Sequence, residues 1–190
     1  MRLILICIVL TGSFVFPTLA HSVAGQADSF ASGVAHPLGG ADHILAMVAV
    51  GLWGVLAGGR AIWVWPTTFM VAMLAGFAAA TVGLRIPFVE PVLWSSIIIL
   101  GLFVALAVKA PVWLGAAMAG AFALFHGHAH GTEAATACII PYAAGFALAT
   151  AVLHATGIGL GLFAEGSLGK AGVRAMGGLA VLGGVALVVG

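Results

Sequence analysis

Charge is what this chain lacks most. It has six Lys or Arg and five Asp or Glu among 190 residues, where a soluble domain carries about a quarter. That shortage argues against a water-soluble fold. The formal net charge of +1 leaves no clustered basic surface, which removes the case for nucleic acid as a partner. Cysteine is nearly missing too. Of Cys7 and Cys138, the first lies on a segment expected to be removed, so no intramolecular disulfide is expected. There is no GxxxxGK[ST] phosphate loop, hence no sign of nucleotide-driven chemistry.

What is present is apolar sequence, 63% of the residues. The first twenty read as a cleaved signal peptide: Arg2 is the positive start, Leu3 to Val9 the short apolar core, and Thr18-Leu19-Ala20 the small-residue cleavage site. Cleavage would leave His21 as an exported amino terminus. A polar stretch from Ser22 to Ala35 follows, and residues 21–190 then form one membrane domain. Six runs approach the length needed to cross a bilayer: Pro37–Gly58, Ala61–Gly83, Pro91–Val108, Val112–His130, Ala135–Leu162 and Gly172–Val189. The expected fold is therefore all-α, a polytopic six-helix transmembrane bundle. With an exported amino terminus, Arg60, Lys109, Lys170 and Arg174 fall in cytoplasmic loops and only Arg85 falls outside, as the positive-inside rule requires. The 28 glycines suit close helix contacts in lipid, with Gly54…Gly58 and Gly157…Gly161 as small-xxx-small pairs.

Two segments hold nearly all the chemistry. In the first, "HPLGGADH" over 36–43, Pro37 suits a first helical position and makes His36 the cap of helix one. Seven residues is close to two turns, so His36 and His43 share a face if that helix is regular. Asp42 then points about 100° away from His43. Gly39-Gly40 could instead loosen the helix and free backbone carbonyls, as in the broken helices of transporters. In the second, "FHGHAHGTE" over 125–133, His126, His130 and Glu133 stand at i, i+4 and i+7 on one stripe. His128 falls on the opposite side. Gly127 and Gly131 clear space beside the stripe for a partner helix. The topology brings both segments to the exported end, where His36, Asp42, His43, His126, His130 and Glu133 could converge on one metal ion.

An Asp inside a membrane costs a few kcal/mol and calls for a partner. Imidazoles with carboxylates suit Ni, Co, Zn, Cu or Fe better than Mg or Ca. His21 could offer its amine and imidazole as an outer capture point. His154, deep in the fifth run, reads as a second station on the path or as a hydrogen-bonded packing residue. Met47 and Cys138 read as core residues, and Glu90 as a carboxylate at a helix start.

With both motifs quoted, the chain resembles the HupE/UreJ family, the hydrogenase- and urease-associated metal permeases of bacteria. His36, Pro37, Gly40, Asp42 and His43 match its HPxxGxDH pattern. Phe125, His126, Gly127, Ala129, His130, Gly131 and Glu133 match FHGxAHGxE, with His128 at a variable position. The resemblance covers essentially the full chain. It implies a secondary permease of the bacterial inner membrane, with its amino terminus periplasmic, taking up nickel or in some members cobalt. The metal would be cargo, with no prosthetic group, and would serve cytoplasmic nickel or cobalt enzymes. The oligomeric state, a homo-oligomer included, stays open. Because histidines protonate below about pH 6.5, acid should weaken binding. Two rivals come from other classes: a membrane metalloenzyme built on HxxxH, and a bis-histidine haem protein.

Overall fold

The structure is a computed structural model and describes residues 30–134 and 139–189. The expected signal peptide over 1–20 with Cys7, the candidate ligand His21, and Cys138 lie outside the described residues. Among the described residues six helices follow one another: α1 Phe30–Gly39, α2 Ala41–Ala57, α3 Ala61–Thr81, α4 Val89–Ala105, α5 Val112–Glu133 and α6 Ile139–Val189. Among the described residues there is no strand. Three helices, α3, α5 and α6, are long and apolar enough to cross a membrane, or four if the bent pair α1–α2 counts as one span. The apolar α4 is shorter, at 17 residues.

At 51 residues, α6 would be about 77 Å long if straight, more than twice the ~30 Å hydrocarbon thickness of a bilayer. It is not straight. Gly169 has φ 65° and ψ −172° and breaks the helix into arms 139–168 and 170–189. A side chain would strain that backbone, and glycine tolerates it. The first arm packs parallel to α2: Gly157 abuts the backbone of Val48, and Gly161 the side chain of Val55. The second arm runs antiparallel to α4, with Gly177 against Val104 and Ala105 and Gly184 against Ile97 and Ile98.

The closest seam joins α3 and α5, which are parallel. The backbone of Met73 fills the place where a Cβ of Gly127 would sit. The Leu124 carbonyl does the same at Gly76, and the Phe77 carbonyl at Gly131. In lipid, where burying apolar surface gives helices no drive to associate, such backbone-to-backbone packing is what holds a pair together. The space expected beside the histidine stripe is thus occupied by α3. Of the proposed small-residue pairs, Gly157…Gly161 does face α2. Gly54…Gly58 does not act as a pair: Gly54 meets Ala61 and Ile62, but Gly58 has open space around it and a φ of 72° that ends α2.

Two expectations at the chain entry are corrected. The stretch taken as a polar lead-in is helical from Phe30 onward, and Pro37 lies inside that helix instead of starting the next. His36 therefore sits in the last turn of α1 and does not cap α2, whose cap is Gly40. Of the two readings of 36–43, the structure has the one loosened at Gly39-Gly40: α1 and α2 meet at an angle of 84°.

Large apolar side chains such as Trp63, Trp113, Ile140 and Phe163 face outward, while Trp53, Trp65, Phe69, Met47, Met73 and Phe146 form the interior. The parallel pairs sort the loops into two ends. Arg60, Lys109, Lys170 and Arg174 gather at one end, where Arg174 Nε donates to the Ala105 carbonyl at 2.8 Å. The Trp53 and Trp65 indoles donate there to the Val108 and Val112 carbonyls at 2.9 and 2.8 Å. Arg85 and both histidine motifs lie at the other end.

Candidate metal centre

α1 leans on the start of α6, where Gly33 lies against the Tyr142 backbone and Gly145 against Phe30. This holds His36 over the end of α5. Its Nε2 is 3.0 Å from Glu133 Oε2, in a pair left partly open to solvent. At the joint, Gly40 (φ −103°, ψ 116°) turns the chain into α2. A methyl group there would lie 2.5 Å from Asp42 Oδ1 and 2.7 Å from His43 Nδ1. Glycine at 40 is thus required by the side chains that fold back over it. Those two atoms are 2.8 Å apart, so Nδ1–H of His43 donates a hydrogen bond to Asp42 and His43 Nε2 is left with a free lone pair.

From α5, His130 and His126 project into the same space one helical turn apart. Ring centroids are 4.6 Å from His36 to His130, 4.3 Å from His130 to His43, and 5.4 Å from His43 to His126. The four imidazoles form a row that starts at the open His36–Glu133 pair and ends at the fully buried His126. Atoms able to bind a metal on His36, His130 and Glu133 all lie within 4.8 Å of one another. His43 and His126 continue from that trio into the bundle. The six candidate residues therefore share one region as a graded row, with Asp42 behind His43.

Side-chain polar atoms that are buried without a partner stand out here. Among the described residues these are His43 Nε2, His126 Nδ1, His128 Nδ1, both ring nitrogens of His130, and His154 Nε2. Every one is an imidazole nitrogen. Leaving a buried polar atom unpaired costs about 1–3 kcal/mol, and folded proteins keep few of them. Four of the six belong to the row.

The family model described as HupE / UreJ protein matches residues 8–187. The chain belongs to the HupE/UreJ family. Protein HupE of Rhizobium leguminosarum bv. viciae is 43% identical to it over 176 residues, which is 92% of each chain. No solved structure matches.

In this HupE/UreJ chain the fixed histidines of both motifs join the row, and the histidine at the variable position does not. His128 points its Nε2 at the Leu84 carbonyl, 2.7 Å away, and toward the Ile86 amide at 3.3 Å, while its side chain also borders the cleft beside Asp42, His43, His130 and Glu133. It anchors the loop between α3 and α4. His154 also stands apart. Its Nδ1 donates to the Met47 carbonyl at 2.8 Å, and Phe69 lies between it and His126, with centroids at 5.0 and 5.8 Å.

Two residues of the region escaped the sequence reading. Glu90, taken only as a helix-start carboxylate, lines a cleft of about 370 Å³ with Asp42, His43, His130 and Glu133. In a chain with five carboxylates, an acid at the mouth of an apolar run was signal enough to suspect it. Ser96 is fully buried, and its Oγ is 2.9 Å from His126 Nε2. Nothing in a lone serine among isoleucines and leucines marks it.

Proposed function

We propose that this HupE/UreJ protein is a secondary permease for a divalent transition metal, nickel or cobalt, moving it from the periplasm across the inner membrane into the cytoplasm. The observation that carries the reading is the set of unpartnered imidazole nitrogens in the buried row. A divalent ion with an affinity for nitrogen supplies a partner for the unprotonated nitrogen of each ring. The trio His36, His130 and Glu133 receives the ion at the open end, and Asp42, Glu90 and Glu133 offset its charge around the cleft. His43 and His126 take it deeper.

On this reading the six apolar runs are six crossings, with the break at Gly169 separating the last two. The gathering of Arg60, Lys109, Lys170 and Arg174 at the end opposite the histidines supports a cytoplasmic assignment for that end. The ion then enters from outside. A negative-inside potential favours entry of a divalent cation by about 4.6 kcal/mol per 100 mV, twice the single-charge value, so no nucleotide is needed. Binding has to stay weak enough for release. The donors form a shallow series instead of a closed four-ligand cage, which suits transfer. No bond of the cargo is made or broken, so the protein is not an enzyme.

Uptake of radioactive nickel into proteoliposomes tests the reading. His43→Ala and His126→Ala should each cut uptake at least about tenfold, equivalent to ~1.4 kcal/mol. Wild-type uptake in both would overturn it. Competition with cobalt and zinc in the same assay identifies the cargo.

A further inference from the structure

We infer that Ser96 is a positioning residue that fixes which nitrogen of His126 faces the metal, and that this nitrogen is Nδ1. The inference rests on the permease reading above and deepens it.

A serine hydroxyl has one proton to give. Ser96 Oγ lies 2.6 Å from the Leu93 carbonyl, which can only accept, and 2.9 Å from His126 Nε2. If the hydroxyl proton went to His126, two bare oxygens would face each other at 2.6 Å in a buried site. The arrangement that leaves no such clash is a relay: Ser96 donates to Leu93, and Nε2–H of His126 donates to Ser96. His126 is then the Nε2-protonated tautomer, and its lone pair sits on Nδ1. That is the atom of His126 found buried and unpartnered. Ser96 and His126 are both fully buried, so water cannot take over the role of the serine.

His43 supplies the counterpart. Nδ1–H of His43 donates to Asp42, so the His43 lone pair is on Nε2, also buried and unpartnered. The two rings stand edge to face at 86° with centroids 5.4 Å apart. One is held by a carboxylate on its own helix. The other is held by a neutral hydroxyl reached across from α4. Groups that fix the tautomer of a metal-binding histidine typically change affinity 10- to 100-fold when removed, and Ser96 has that place behind His126. It also makes α4, which contributes none of the motif histidines, part of the inner end of the row.

The test uses full-length protein in lipid bilayers, labelled with 15N-histidine and free of metal. The His126 resonances, assigned by their loss in His126→Asn, should show Nε2 protonated and Nδ1 bare. In Ser96→Ala that pattern should become a mixture of tautomers. Half-saturating nickel in uptake should rise about 10- to 100-fold, with the maximal rate changed less. Ser96→Thr retains the hydroxyl and should restore the tautomer. A wild-type His126 protonated on Nδ1 would overturn the inference, as would a Ser96→Ala protein with wild-type tautomer and half-saturation. A purely structural role for Ser96 would lower stability without moving the 15N pattern. Failure of the permease reading itself is separate: it appears as unchanged uptake in His126→Ala, whatever Ser96 does.

Discussion

The two ends of the bundle treat their buried polar groups in opposite ways. At the basic end both buried indoles have found a carbonyl, Trp53 with Val108 and Trp65 with Val112, and the exposed Arg174 adds a bond to Ala105. Those bonds tie the loop between α4 and α5 to the interior and tie the second arm of α6 to the end of α4. At the histidine end, four imidazole nitrogens of the row are buried with nothing to bind. One end closes its hydrogen bonds and gains rigidity. The other leaves its lone pairs open at a cost in stability, which is the expected mark of a site shaped for a ligand.

Substitutions can break that contrast. The largest effect is expected at His130, whose two nitrogens are both unpartnered. His130→Leu should lower nickel uptake by about 100-fold or more, at or beyond the upper end of losses seen for outer-sphere partners alone. The same change should leave the detergent melting temperature unchanged or raised, since unpaired buried atoms vanish with the ring. A clear loss of stability in His130→Leu would mean that the imidazole has a structural role. Next comes Asp42→Asn, which retains a hydrogen-bond acceptor but loses the charge behind His43. A rise of about tenfold in half-saturating nickel is expected, at the lower end of such effects.

At the opposite end the signs reverse. Trp53→Phe leaves the Val108 carbonyl without its donor and should lower stability by about 1–3 kcal/mol, measured by thermal or denaturant unfolding in detergent, with half-saturating nickel unchanged. If Trp53→Phe impaired uptake as His130→Leu does, the division of labour between the ends would collapse. The smallest effect is expected for His128→Gln, which still has an amide to offer the Leu84 carbonyl. Its cost should stay below about 1 kcal/mol, near the centre of the range for point changes, and uptake should persist.

Much of the site was readable before any coordinates. The stripe His126, His130, Glu133 follows from helical periodicity alone, and α5 runs unbroken through all three. Helical periodicity also sets His128 apart from the stripe, and its Nε2 meets the Leu84 carbonyl, although the ring borders the cleft. The sequence leaves two readings of 36–43 open, a regular helix and one loosened at Gly39-Gly40, and the structure has the second, with α1 and α2 meeting at 84°. Pro37 at a helix start and a 3.6-residue period are sound rules, but Gly40 ends one helix and caps the next. His36 reaches His130 from a different helix, and a spacing rule within one helix cannot anticipate that. Glu90 and Ser96 were hidden for another reason. Each meets the cluster across a helix–helix contact, and the sequence of α4 does not record which face will meet α5.

The bend at Gly40 has one more consequence. His43, His126 and His130 are carried by α2 and α5, two rods locked to their neighbours through Gly157 and Gly127. His36 is carried by the ten-residue α1, which meets α2 at 84° through Gly40 and packs on α6 through Gly33 and Gly145. A rotation about that joint would swing the outermost imidazole away from Glu133, and it would also have to part α1 from the Tyr142 backbone while leaving α2 and α5 in place. On the permease reading the outermost imidazole and the deeper ones thus sit on separate supports, and a substitution that stiffened residue 40 should slow arrival of the ion more than its passage.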